Sequence, residues 1–202
     1  MNGKQIMESE AFKQCVDFHG HVCPGIAIGF QAVKACMSEL AETRAEDEEL
    51  VAVVETDACS ADAVQVLTGC TFGKGNFFYR DYGKMALTLL SRKTGKGVRA
   101  CQVPQARTPN DEHRRLMDKV RAGTATEQEE NRFKELHLER CSDILGTPLE
   151  DLFTVKPAEM EMPEKARIEP SELCDRCGES AMGSKLEKLE NETVCRGCLA
   201  SQ

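Results

Sequence analysis

The chain has 202 residues, 41% hydrophobic and 30% charged, ordinary proportions for a soluble protein with one substantial core and a small appendage. Its charge balance, 26 − 34 = −8, opposes a broad nucleic-acid footprint, and no apolar run approaches the ~20 residues of a membrane span. The first residues read as a polar amphipathic segment rather than a signal peptide, so a cytoplasmic location is expected, and there 11 cysteines serve metals or thiol chemistry rather than a disulfide framework.

Apolar spacing predicts an amphipathic helix over about Ser9 to Asp17, then a break from Phe18 to Gly25. A longer helix follows, because Ile26, Phe30, Val33, Met37 and Leu40 recur every three or four residues, with Pro24 suited to its first turn. Leu50 to Thr56 reads as a buried strand, and Ser60 as the N-cap of the next helix. Thr68 to Asn76 is a glycine-rich loop. Lys84 to Ser91 and Val98 to Val103 read as strands joined by a hairpin turn through Gly95 and Gly97. Thr108 before Pro109 marks a helix start, and Thr126 with Glu129 forms the capping box of a helix running to about Leu145. Leu149 to Val155 reads as a further strand, followed by a proline- and charge-rich linker.

The strongest chemical signal lies at the C-terminus. Cys174-x-x-Cys177 and Cys195-x-x-Cys198 are two knuckles of the kind that encloses a zinc ion in four thiolates. Two disulfides or a redox pair are the alternatives. A segment from Leu173 to Gln202 is too short for a core, so coordination has to replace burial, and four protein ligands make the site structural.

The second signal is His19-x-His21-x-Cys23, with Cys23 directly before a helix, where free N–H groups are expected to lower its pKa. Alternate residues of an extended segment share a face, so the three side chains are expected to converge. Cys59, between a strand end and a helix start, is expected to join them around a second transition metal with an open position, and Asp57 to orient a histidine. In the blander reading, His19 and His21 cap a helix and Cys23 is a small buried hydrophobe. If the site is an enzyme's, Cys23 or Cys59 is the nucleophile and His21 or His19 the base. Lys74 and Asn76 in the glycine-rich loop would then bind a small anionic substrate, although the loop departs from phosphate-loop spacing and a plain turn competes. Cys15, Cys36, Cys101 and Cys141 read as core residues, and His113 and His137 as solvated. A zinc-finger regulator or adaptor is a third reading, which the acidic charge disfavours as a DNA binder.

Three stretches carry a resemblance: Phe18-His19-Gly20-His21-Val22-Cys23-Pro24-Gly25, Glu55-Thr56-Asp57-Ala58-Cys59-Ser60-Ala61-Asp62-Ala63, and Gly69-Cys70-Thr71-Phe72-Gly73-Lys74-Gly75-Asn76. In order and spacing they resemble motifs of the FmdE family of formylmethanofuran dehydrogenase proteins, from about Phe12 to Val155. The resemblance implies an α+β core over 1–156, built on a small, mainly antiparallel sheet packed with helices. It also implies a homodimer, a metal or thiol centre at the His-x-His-x-Cys and Asp-x-Cys motifs, and an association with the molybdenum or tungsten enzyme of methanogenic one-carbon metabolism. A linker over 157–172 and a zinc-ribbon or treble-clef-like finger over 173–202, open to a protein partner, complete the expected organisation.

Overall fold

The computed structural model describes residues 2–107 and 110–200, which fall into two compact units divided between Lys165 and Ala166. The first unit begins with α1 (Gly3–Met7), a single turn closed by an Asn2–Gln5 capping box and too short to leave a periodic signal. Ser9 caps α2 (Glu10–His19), which ends where Gly20 turns left-handed at φ 92°. Cys23 is the N-cap of α3 (Pro24–Leu40), with Pro24 in the first turn as expected. The stripe on α3 buries Ile26, Phe30 and Val33, and Phe30 meets Phe12 edge-on with ring centroids 5.5 Å apart.

After β1 (Leu50–Val54) the chain enters α4 (Ser60–Thr68), whose N-cap is Cys59 rather than the expected Ser60. Helix α4 lies directly on α3 because residue 29 is glycine: a Cβ there would stand 2.5 Å from the Ser60 carbonyl oxygen. The short β2 (Phe77–Tyr79) pairs parallel to β1, and its three residues escape pattern reading. The expected hairpin is β3 (Ala86–Ser91) and β4 (Gly97–Gln102), followed by a 3-10 turn at Pro104–Arg107.

Asn110 caps α5 (Asp111–Arg121); the helix start expected at Thr108 and Pro109 lies outside the described residues. The Thr126–Glu129 capping box opens α6 (Glu127–Gly146) as expected. Pro148 then starts a one-turn helix, α7 (Leu149–Leu152), where a strand was expected, and β5 begins only at Phe153 (Phe153–Pro157). The sheet order is β2-β1-β3-β4-β5, antiparallel except for β1 with β2, so the fold is the expected α+β core.

Ala52, Val54, Leu87, Leu89 and Val98 turn one sheet face into the main helical core. On the other face Val53 and Thr88 are also buried, and residues 158–164 run past them. The Ala158 N–H donates to the Gly97 carbonyl, and Arg92 donates to the carbonyls of Pro163 and Glu164. Among the described residues no helix is long and apolar enough to cross a membrane.

The second unit holds two small antiparallel pairs, β6 (Ser171–Leu173) with β7 (Ser180–Met182) and β8 (Leu186–Leu189) with β9 (Glu192–Cys195), then α8 (Arg196–Ala200). Among its described residues only Cys174 and Val194 are buried.

Candidate metal centre and cleft

Ligand-type atoms of His19, His21 and Cys23 all lie within 4.8 Å of one another. They converge by a different route from the one expected. His19 closes α2, Gly20 reverses the chain, and Cys23 opens α3, so a helix end and a helix start bring the donors together rather than one extended segment. The His19 Nε2 stands 3.8 Å from the Cys23 sulfur, and the two histidine rings have centroids 4.4 Å apart. Donors around one zinc-sized ion sit about 3.5 Å apart, so small side-chain adjustments close this set on a metal.

The other face of His19 is held by Asp62, in the first turn of α4, whose Oδ2 accepts from Nδ1 at 2.7 Å. That contact fixes the tautomer and leaves Nε2 as the ligand atom. The carboxylate expected in this role was Asp57, but Asp57 is exposed. Helix geometry explains the difference: a first-turn residue of α4 faces the end of α2, whereas the loop residue before it does not.

Cys59 borders the same place. A Cβ built on Gly25 would lie 3.5 Å from the Cys59 sulfur and 3.6 Å from the Cys23 sulfur. The lowered Cys23 pKa expected from the helix start is not observed. Burial pushes the Cys23 thiol up to about 11, with the neighbouring Cys59 adding to the rise, and the Ile26 N–H at the helix start only partly opposes it. Without a bound cation Cys23 is therefore a neutral thiol at physiological pH.

His21, Cys23 and Cys59 open onto a cleft of about 420 Å³ whose far wall comes from β4, α5 and α6. That wall carries His113 and His137, which were expected in solvent. His113 is only 5% exposed; its Nε2 lies 3.1 Å from His137 Nδ1, and its ring stacks on Phe133. Burial lowers the pKa of both rings. Charge-rich sequence concealed them because the inward positions of α5 and α6 are few among many solvated ones.

Lys74 and Asn76 are not part of this cleft. The Lys74 ammonium donates to the carbonyls of Glu46 and Asp47, and the buried Asn76 amide to those of Asp47 and Leu50. The glycine-rich loop thus pins the turn before β1, and its donors are committed to main chain rather than to an anion. Cys15, Cys36 and Cys141 are buried in the core, and Cys101 is half-buried.

In the second unit the four cysteine sulfurs also lie within 4.8 Å of one another, with Cys174 4.0 Å from Cys198 and Cys177 4.0 Å from Cys195. Gly178 takes φ 71°, and main-chain N–H groups of Cys195 and Cys198 donate to the sulfurs of Cys174 and Cys195. Backbone donors at Cys177 and Cys195 hold the Cys174 thiol down at about 6, while hydrogen bonding among the crowded thiols pushes Cys198 up to about 12, so without a cation the cluster favours one thiolate. These four cysteines can hold a metal ion.

A relative from Archaeoglobus fulgidus, described as a probable S-adenosyl-L-methionine-binding protein, is 34% identical over 194 residues, 92% of this chain and 51% of the relative. The chain thus spans about half the length of that relative. A crystal structure of a tungsten formylmethanofuran dehydrogenase FmdE-like protein from Syntrophus aciditrophicus superposes with a TM-score of 0.62 at 25% identity, covering 99% of this chain and 93% of that one. The family model for FmdE, "Molybdenum formylmethanofuran dehydrogenase operon", matches residues 18–154, a span that contains every residue of the cleft, and the chain belongs to that family.

Proposed function

We propose that the protein is a metal-binding FmdE-family member that holds one transition-metal ion in its core and one zinc ion in its C-terminal unit, and that it works in association with formylmethanofuran dehydrogenase. The observation that carries the core site is the gathering of His19, His21 and Cys23 donors within 4.8 Å, at the mouth of a cleft. Cys59 is the natural fourth ligand. The mixed sulfur and imidazole set suits zinc, copper or nickel far better than magnesium or calcium. Asp62 keeps the His19 Nε2 lone pair turned to the site. When bound, such an ion supplies a Lewis acid and stabilises the Cys23 thiolate that burial otherwise opposes.

In the C-terminal unit, the two buried residues among those described cannot drive folding, so four thiolates on zinc supply the stability. The reading places the protein in the cytoplasm as a homodimer, the state the family resemblance implies. S-adenosylmethionine binding is left with the longer relative, of which this chain matches 51%. A metal-free thiol enzyme using Cys23 and Cys59 is the weaker reading, because Cys23 is raised rather than activated.

Metal analysis of the full chain, purified without chelator, tests the proposal. Two ions per protomer are expected, one lost in Cys23→Ser and the other in Cys177→Ser. A single ion, indifferent to Cys23→Ser, overturns the core site.

A further inference from the structure

The cleft beyond the histidine and cysteine donors has a chemical bias that metal binding does not use. No Asp or Glu lines it among the described residues, although the chain carries a net charge of −8. Hydrogen-bond donors line it instead. Arg140 has no carboxylate partner among the described residues; its guanidinium donates to the Ala106 carbonyl at 2.5 Å, a small part of its five N–H groups. Gln102 is 8% exposed, and its side-chain Nε2 has no hydrogen-bond partner among the described residues. A buried amide donor left unsatisfied costs free energy that a ligand can recover.

The histidine pair supplies a third donor. Only one proton can lie between His113 Nε2 and His137 Nδ1, and the buried His113 Nδ1 has no partner among the described residues. If His137 donated, His113 would carry its proton on Nδ1 as a stranded donor. If His113 donates, only a lone pair is stranded there, which is the smaller penalty. The shared proton therefore belongs to His113, and His137 carries its own on Nε2, the donor it can offer to the cleft.

The geometry points to a receptor for a small monocarboxylate with a short apolar body, its carboxylate held by Arg140, Gln102 and His137 and its body packed on Ile28, Met85 and Met117. One cation and two neutral donors match a single negative charge, and a planar guanidinium matches a carboxylate. A phosphate dianion would want more cations than the single guanidinium of Arg140. The volume of about 420 Å³ is at the small end for ligand sites. This inference deepens the metal-site reading and rests on it only at the cleft mouth, where the remaining end of the ligand would meet the ion.

The test is titration of the zinc-loaded full chain with hexanoate, 1-hexanol, hexylamine and inorganic phosphate, followed by calorimetry and by the imidazole nitrogen resonances of His113 and His137. Hexanoate is expected to bind at least about tenfold more tightly than the other three and to move the His137 signals. Arg140→Gln is expected to weaken hexanoate about tenfold, with Arg140→Lys recovering part of the loss. Gln102→Leu, on a different element, is expected to weaken it independently, which protects the test against one variant that fails to fold. Equal binding of hexanol, hexylamine or phosphate, or of hexanoate to Arg140→Gln, overturns the inference. So does absence of hexanoate binding up to millimolar concentration; if two metals are still counted, the metal reading survives alone. Arginine-dependent binding of hexanoate to a Cys23→Ser protein that has kept only its tail metal gives the opposite division.

Discussion

Gly25→Ala is the sharpest probe of whether Cys59 belongs to the core metal site. Gly25 lies in the first turn of α3, and a Cβ added there would stand 2.8 Å from the Cβ of Cys59. Restoring ordinary contact at 3.4 Å requires a movement of 3.4 − 2.8 = 0.6 Å. The Cβ of Cys59 cannot swing aside like the tip of a long side chain, because Cys59 caps α4 and α4 is seated on α3 through Gly29. The displacement must therefore pass to the cap of α4 and to the sulfur. Alanine favours the helix by up to about 1 kcal/mol, while overpacking costs about 1–3 kcal/mol, so the net loss of stability is about 1 kcal/mol. In a domain of this size that lowers Tm by about 2–4 °C. Metal binding responds far more strongly, because a ligand misplaced by this distance weakens affinity about 10- to 100-fold. Competition with a chromophoric chelator, read on full-length protein whose tail site stays filled, separates the two effects. A folded Gly25→Ala protein that binds the core metal with unchanged affinity refutes the placement of Cys59 among the ligands.

Asp62→Asn keeps the shape beside His19 but removes the carboxylate, and core metal affinity is expected to fall about tenfold with little change in the Tm of the metal-free protein, by the same chelator competition and by calorimetry. Arg99→Met leaves Glu55, whose side chain is 8% exposed, without its bidentate partner, and is expected to cost about 3 kcal/mol at neutral pH in denaturant unfolding. Arg99 holds the native Glu55 carboxyl below its usual range, so that stabilisation is present at neutral pH and lost as pH falls through the folded value; the gap between native and variant should therefore narrow on acidification, and a gap independent of pH would speak against the pair. Burial lowers the His113 pKa, so the unfolded chain takes up its proton first and stability should fall as pH drops below about 6.5. His113→Leu is expected to flatten that slope in Tm measured between about pH 7 and pH 5, and an unchanged slope would assign the proton uptake elsewhere.

The parts of this molecule that could be read from sequence are those whose cause lies within a turn or two of chain. The stripe on α3, the capping box at Thr126 and the knuckle spacing of the tail each state their structure locally. Contacts between distant segments do not. Asp57 and Asp62 are equally plausible partners for a histidine until α4 is laid across the end of α2. Lys74 and Asn76 have the composition of an anion loop, yet carbonyls of residues 46–50, nearly thirty positions earlier, take their donors. His113 and His137 sit among charged residues on two helices, and only the pairing of α5 with α6 shows that they face each other and the cleft.

The two units place different demands on their cysteines. Among the described residues of the tail, burial amounts to Cys174 and Val194, so in the proposed reading its folding depends on an ion held by the four thiols. In the core, Phe12, Ile26, Leu50, Leu89 and Ile144 are fully buried without help from a metal. A site built there is free of folding duty. It can hold its ion with three or four protein donors and leave room beside it, which the cleft lined by His137 and Arg140 provides. The match to the family model covers this unit and stops at residue 154, before the tail begins. In the proposed reading the chemistry sits in the core cleft, although the relatives from Archaeoglobus fulgidus and Syntrophus aciditrophicus match through the tail as well.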